Sequence, residues 1–298
     1  MDAKITKERL GNFLSYDWIK IVCAIVAAIM FLLVLFTTIG AGTTSAQRFS
    51  VYGYLDLSYG DDAVDFANQV KSAHVFSYDI LEVESENFTD GTYSSAQLVT
   101  RRSTGDGDCM FVSNYKEKED SLSTLEQLVV GYGADFMLDP ALFLADCEAY
   151  LNGFYSDWTA GTLDEARVKE AFLARNGKDK RFRSEESKAQ GIVQEKERLE
   201  RLRRDYEYVI SSFESGLLTY TTVTVEGEGE TVTAQCAIGL GKLNKMTELY
   251  YYTVEKDGET VRTAEDLTLI LFDNKDWDGD LKYDTISFLR YVAQHYGS

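Results

Sequence analysis

The stretch FSVYGYLDL at residues 49–57 reads as a β-strand, and the elements after it decide the fold class. Next comes DDAVDFANQVKSA (61–73), where Ala63, Phe66, Ala67 and Val70 fall on one helical face. HVFSYDILEVE (74–84) alternates again as a strand, YSSAQLVTRR (93–102) is helix-like, and CMFVS (109–113) is a short buried strand behind the turn GDGD. That βαβαβ order predicts a parallel, doubly wound sheet with right-handed crossovers. His74 then opens a strand as a structural residue rather than a catalytic one.

Beyond this unit the chain turns helical. Ser123 with Glu126 forms a capping-box pattern ahead of TLEQLVVGY, and Thr162 with Glu165 repeats it, so a helical segment is expected over about 162–215. Its clearest part is a long charged helix, SEESKAQGIVQEKERLERLRRDYEYVISSFESG (184–216), with Ser184 as the cap and Gly216 just past the end. Leu199, Leu202, Tyr206, Val209 and Phe213 recur at helical spacing, and Glu197 to Arg201 and Glu200 to Arg204 are favourable pairs four residues apart. The stripe suits packing on its own domain, with a partner-binding or dimerising helix as the other reading.

The C-terminal part returns to strands. TYTTVTVEGEGETVTAQCAIGLG reads as two strands around a Gly-rich turn, and Asp257-Gly258 marks a hairpin. LTLILF (267–272) is apolar on both faces and is expected in the centre of a covered sheet. A terminal amphipathic helix completes the chain, with Ile286, Leu289, Tyr291, Val292 and Tyr296 available for packing.

Upstream of the α/β region lies IKIVCAIVAAIMFLLVLFTTIG (19–40), and no charge occurs between Lys20 and Arg48. A secretory signal has an apolar core of about 7–15 residues, whereas a span needs about 20. The expectation is a single-pass transmembrane helix at 21–39, with residues 1–20 cytoplasmic, 40–48 a linker and 49–298 an extracytoplasmic domain. Lys4, Lys7, Arg9 and Lys20 before the stretch set that orientation, and Tyr16 and Trp18 suit the inner interface. Cleavage after Ala46 is the alternative.

The chain carries a formal charge of −19. Its first 36 residues hold four basic and three acidic groups, so the remainder is near −20. Such a surface repels phosphate backbones, so no nucleic-acid partner is expected. Outside the apolar stretch there are three cysteines, Cys109, Cys147 and Cys236, with no CxxC pair, and two histidines, so no zinc ligand set forms. Their disulfide state stays open.

The loop DNKDWDGDLKYD (273–284) places Asn274, Asp276 and Asp278 at the first, third and fifth positions of a calcium loop if Gly279 is the sixth. Its twelfth position is Thr285 rather than a bidentate Glu. A solvated acidic loop is the better reading. Asn274, Asp276, Asp278 and Asp280 are the weak candidate ligands, and no metal or other cofactor is expected. The chain has no GxSxG, HExxH, P-loop or GxGxxG after a strand, so it is not expected to be an enzyme.

Three segments carry a family likeness: RRSTGDGDCMFVS (101–113), LADCEAYLNGFYSDW (144–158) and LILFDNKDWDGDLKYDTISFLRYVAQHY (269–296). They resemble the extracellular solute-binding proteins of ABC importers, especially shortened, membrane-anchored Gram-positive members that also carry a long charged helix such as GIVQEKERLERLRRDYE (191–207). The resemblance implies a periplasmic-binding-protein-like, two-lobed α/β clamp that closes on a small solute and delivers it to a permease. The ligand-binding residues are unknown, with Trp158 and Trp277 as candidates for a cleft. The alternative is a scaffold or accessory interaction module with a degenerate clamp fold, recruiting an ABC permease or another membrane partner.

Overall fold

The structure, a computed structural model, describes residues 11, 20, 22–23, 25–32, 47–88, 93–227, 230–272 and 281–297. The chain divides into two compact units, Met1–Thr44 and Ser45–Ser298.

The first unit corrects the expected anchor. Among the described residues no helix is long and apolar enough to cross a membrane. The transmembrane helix at 21–39, the single-pass placement and the membrane as a partner are therefore not supported. Residues 21, 24 and 33–39 lie outside the described residues.

The second unit is mixed α/β. Its strands are β1 (Arg48–Gly53), β2 (Ser58–Tyr59), β3 (Glu82–Asn87), β4 (Cys109–Ser113), β5 (Tyr155–Asp157), β6 (Thr162–Leu163), β7 (Thr219–Gly227), β8 (Glu230–Gly239), β9 (Tyr250–Lys256), β10 (Glu259–Thr263) and β11 (Leu267–Leu271). Its helices are α1 (Phe66–Ser72), α2 (Ser94–Ser103), α3 (Thr124–Tyr132), α4 (Pro140–Asn152), α5 (Glu165–Asn176), α6 (Glu185–Glu214), the single turn α7 (Met246–Leu249) and α8 (Thr285–Tyr296).

Six strands form the main sheet in the order β3-β1-β4-β11-β8-β7. β1 pairs in parallel with both β3 and β4. β11 is antiparallel to β4 and β8, and β8 to β7. The sheet is thus mixed, not parallel as the βαβαβ pattern predicted. That pattern holds for the first three large strands only, because β7 and β8 form a hairpin and a hairpin enforces antiparallel pairing.

Alternation along the strands feeds two cores. Phe49, Val51, Cys109, Phe111, Leu269 and Leu271 face one layer, built with α1, α4, α5, α6 and α8. Tyr52, Met110, Val112, Ile270 and Phe272 face the other, closed by Leu98 of α2 and by Leu125, Leu128 and Val129 of α3. Helices cover both faces, but of one large mixed sheet in a single compact unit, which replaces the doubly wound parallel sheet and the periplasmic-binding-protein-like two lobes that were expected. At β8 the alternation breaks: Cys236 and Ala237 both face the second layer. The register shift between Thr221 and Thr222 explains it, since an extra residue turns two consecutive side chains to one side.

The segment 74–81 is not a strand. His74 takes φ 50 at the end of α1, and the strand begins only at Glu82. A left-handed backbone at a non-glycine residue costs free energy and ends the run. Local signals elsewhere hold. Ser123 Oγ accepts from the Glu126 N–H at 3.1 Å while Glu126 accepts from the Ser123 N–H at 2.9 Å. α5, however, is capped by Asp164, which accepts from Ala166 and Arg167, because Thr162 is committed to β6.

α6 runs for 30 residues, about 45 Å. Leu199, Leu202, Tyr206 and Val209 are buried in the first core. The stripe therefore packs on its own domain. At Gly191 a Cβ would lie 2.3 Å from the Phe172 ring and 2.8 Å from Phe182, so this glycine sets the close approach of α6 to α5. Cys109, Cys147 and Cys236 are free and buried, and burial pushes the Cys236 thiol up to about 11. Thiols so enclosed are inert hydrophobes.

Candidate functional site

Asn274, Asp276, Asp278 and Asp280, and with them Trp277, lie outside the described residues. Among the described residues no group of three or more His, Cys, Asp and Glu could hold a metal ion. Trp158 packs edge-on to Tyr155 at 5.2 Å between ring centroids and lies under the Arg203 guanidinium at 4.9 Å.

The sheet topology singles out one edge. In open α/β sheets ligands bind outside the carboxyl ends of parallel strands, where the strand order reverses. Here the reversal falls between β1 and β4, since β3 lies on one side of β1 and β4 on the other. The carboxyl end of β4 meets the start of β11, because Ser113 pairs with Leu267. Gly239, at the end of β8, pairs with Thr268 and Thr219. At this end of the sheet, but across β4, β11, β8 and β7 rather than between β1 and β4, opens a crevice of about 430 Å³, lined among others by Asn114, Thr219, Thr221, Lys242, Glu265 and Asp266.

Its walls are fixed from behind. The Asn114 N–H donates to the Asp266 carbonyl at 2.8 Å, and Ser123 Oγ donates to Asn114 Oδ1 at 2.8 Å, which aligns the side-chain amide. The Tyr252 hydroxyl donates to Asp266 Oδ2 at 3.0 Å and accepts from the Asp266 N–H at 3.1 Å. Burial holds that phenol well above its usual range, so it remains a donor. Tyr115 stacks on Tyr252 at 4.8 Å and closes the flank. Thr268 is spent on the Val112 carbonyl. The crevice thus offers an ammonium, two carboxylates, an amide and two hydroxyls. That set can hydrogen-bond a polar solute but contains no paired nucleophile and base.

A second concentration of polar groups lies along α6. Arg198 is buried and donates Nε and Nη2 to Asp284 Oδ2 at 2.9 and 2.6 Å, and Nη1 to Glu195 Oε1 and the Tyr150 hydroxyl, both at 3.1 Å. Glu195 also accepts from Arg175 and, at 2.7 Å, from the Tyr78 hydroxyl. Arg175 and Arg181 both reach Asp79, at 2.9 and 3.2 Å. The loop 76–79, which alternates like a strand in the sequence, is the segment that these arginines hold.

Charge compensation sets the protonation states. Burial alone would lower Arg198 and raise Glu195; instead Asp284 holds Arg198 well above its usual value, and Arg198 and Arg175 hold Glu195 below its own. At Asp79 desolvation outweighs Arg175 and the carboxyl is raised. Sequence reasoning misses this network, although a signal for it exists. Gly191, Glu195, Arg198, Asp205 and Ser212 share the buried face with Leu199, Leu202 and Val209, so charges occupy positions where the helical period demands burial.

The chain matches no family model, no curated protein and no solved structure.

Proposed function

We propose that this chain is a non-catalytic binding module that takes a small polar solute in the crevice at the carboxyl edge of its sheet. The observation that carries the reading is the meeting, at the carboxyl ends of β4 and β8, of Lys242 with Glu265, Asp266, Asn114, Thr219 and Thr221 around about 430 Å³, a volume within the usual range of roughly 300–1,000 Å³ for small-molecule sites. Groups of both charge signs beside hydroxyls suit a zwitterionic or polyhydroxylated solute, such as an amino acid or a sugar, better than an apolar one. The sequence likeness to solute-binding proteins in 101–113 and 269–296 points to the same class of activity. A partner-docking role for α6 has no such support, since its apolar stripe is spent on the core.

The test is thermal unfolding of the full chain against separate amino acids, mono- and disaccharides and short peptides. A ligand that binds only the native state stabilises it, by about 2.7 kcal/mol at a hundredfold excess over Kd. At least one solute should raise the midpoint with concentration, and Lys242→Met and Thr221→Val should shrink that rise. Silence across the panel, or a rise untouched by both substitutions, refutes the reading.

A further inference from the structure

Next to the buried network, α6 presents a different set of charges. Gln194, Glu197, Arg201 and Arg204 succeed one another at helical spacing, and with Ser77 and Tyr78 of the facing loop they line a cavity of about 360 Å³. Arg198 lies in the same wall, already neutralised by Asp284 at 2.6 Å. Arg201 donates Nη1 to the His74 carbonyl at 3.2 Å, and its Nε is buried with no hydrogen-bond partner. The carbonyl that holds it comes from a residue at φ 50, a conformation that costs free energy and fixes the guanidinium in place.

The carboxylates around Arg201 are engaged elsewhere. Asp284 accepts from Arg198 and, at 3.2 Å, from Ser77 Oγ. Asp205 accepts from Ser287 Oγ at 2.6 Å and from Arg290. Glu197 is exposed on the turn before, and among the described residues it forms no ion pair with Arg201 despite the favourable spacing. Arg204 is likewise exposed and without an ion pair among the described residues. Desolvation lowers the proton affinity of Arg201 against the pull of Asp284 and Asp205. In a chain of formal charge −19, two arginines facing one cavity without dedicated carboxylates stand out.

We infer that this cavity is a second binding site, separate from the sheet-edge crevice, in which Arg201 and Arg204 grip an oxyanion, a carboxylate or a phosphate group. Planar guanidinium forks match both chemistries. Gln194 and the loop 76–78 flank the anion, and the His74 carbonyl braces Arg201 from behind.

Calorimetric titration of the full chain at constant ionic strength tests this, with inorganic phosphate, citrate and acetate as separate arms and chloride as the reference. Saturable binding of phosphate or of a carboxylate is expected, and the arm that saturates tells the two apart. Arg204→Gln, at an exposed position, should weaken it roughly tenfold, the effect of one lost charge-assisted hydrogen bond. Arg201→Gln should weaken it at least as much; where that variant unfolds, Arg204→Gln decides. No saturable heat in any arm, or equal affinity in wild type and Arg204→Gln, overturns the site.

Discussion

Two successive regions of α6 treat the same side chain in opposite ways. At Glu195 and Arg198 the charges are buried and matched: both side chains are fully enclosed, and Asp284 completes the set. At Arg201 and Arg204, one to two turns later, the guanidiniums meet a backbone carbonyl and solvent. The cost of burying an ion is repaid only by close partners with hydrogen bonds to spare. The first region is therefore structural, locking α6 to the loop 76–79 and to Asp284. The second keeps its charge available for a ligand.

The sharpest way to break that comparison is Arg198→Ala. It leaves Asp284 enclosed without its cation and Glu195 with Arg175 alone, and removing one partner of a buried pair costs about 3–5 kcal/mol. Urea unfolding should show the loss as a lower midpoint at unchanged slope. A change within about 0.5 kcal/mol, the range of ordinary surface substitutions, would put Arg198 in the same class as Arg204.

Acid should sharpen the contrast. Glu195 titrates below its ordinary value in the folded chain, so its contribution is present above the unfolded pKa of about 4.3 and is lost as pH falls through the folded one. Asp79 is raised and acts in the opposite sense, gaining stability as pH falls, which offsets part of the loss. Urea midpoints measured across pH 3 to 6 should still fall on the acid side, and the fall should shrink in Arg198→Ala, where Glu195 has lost one of its two cations. An unchanged acid slope in that variant would detach Glu195 from the network.

The same helix shows how much of the molecule is legible in its sequence. The stripe Leu199, Leu202, Tyr206 and Val209, the Ser184 cap and the Gly216 stop all derive from local periodicity and capping chemistry. So do the strands flanking Asp257-Gly258 and the central, fully buried place of Leu267–Leu271. The features that escape depend on partners distant in the chain. Arg198 meets Asp284 at 86 residues' separation, and no spacing rule reports that. The loop 74–81 looks like a strand because its apolar residues alternate, yet its backbone is directed by the left-handed His74 and by arginines far along the chain. The sheet-edge crevice is invisible in one dimension because β4, β8 and β11 meet only in three. The apolar stretch at 21–39 read as a span, yet among the described residues no helix is long and apolar enough to cross a membrane.

Gly191→Ala separates packing from charge in the paired region. Alanine favours an α-helix over glycine by about 1 kcal/mol, but its Cβ would meet the Phe172 ring at 2.3 Å. Overpacking a core costs roughly 1–3 kcal/mol. The clash should win, with a net loss of up to about 2 kcal/mol in urea unfolding. A gain instead would mean that α5 yields easily, and that the ionic network rather than the close approach fixes α6.

The smallest expected stability effect is the one that distinguishes the two regions most directly. Arg204→Gln removes a charge from an exposed position with no ion pair among the described residues, so unfolding stability should move by less than about 0.5 kcal/mol. Removing a like-charged neighbour relieves Arg201, whose proton affinity is lowered by burial and, in smaller part, by Arg204. The sign of that small change should be a gain, largest at low salt where screening is weakest. Urea midpoints at two ionic strengths measure it. A loss larger than that bound, insensitive to salt, would show Arg204 to be a structural partner like Arg198, and the division of α6 into a paired and an available region would fail there.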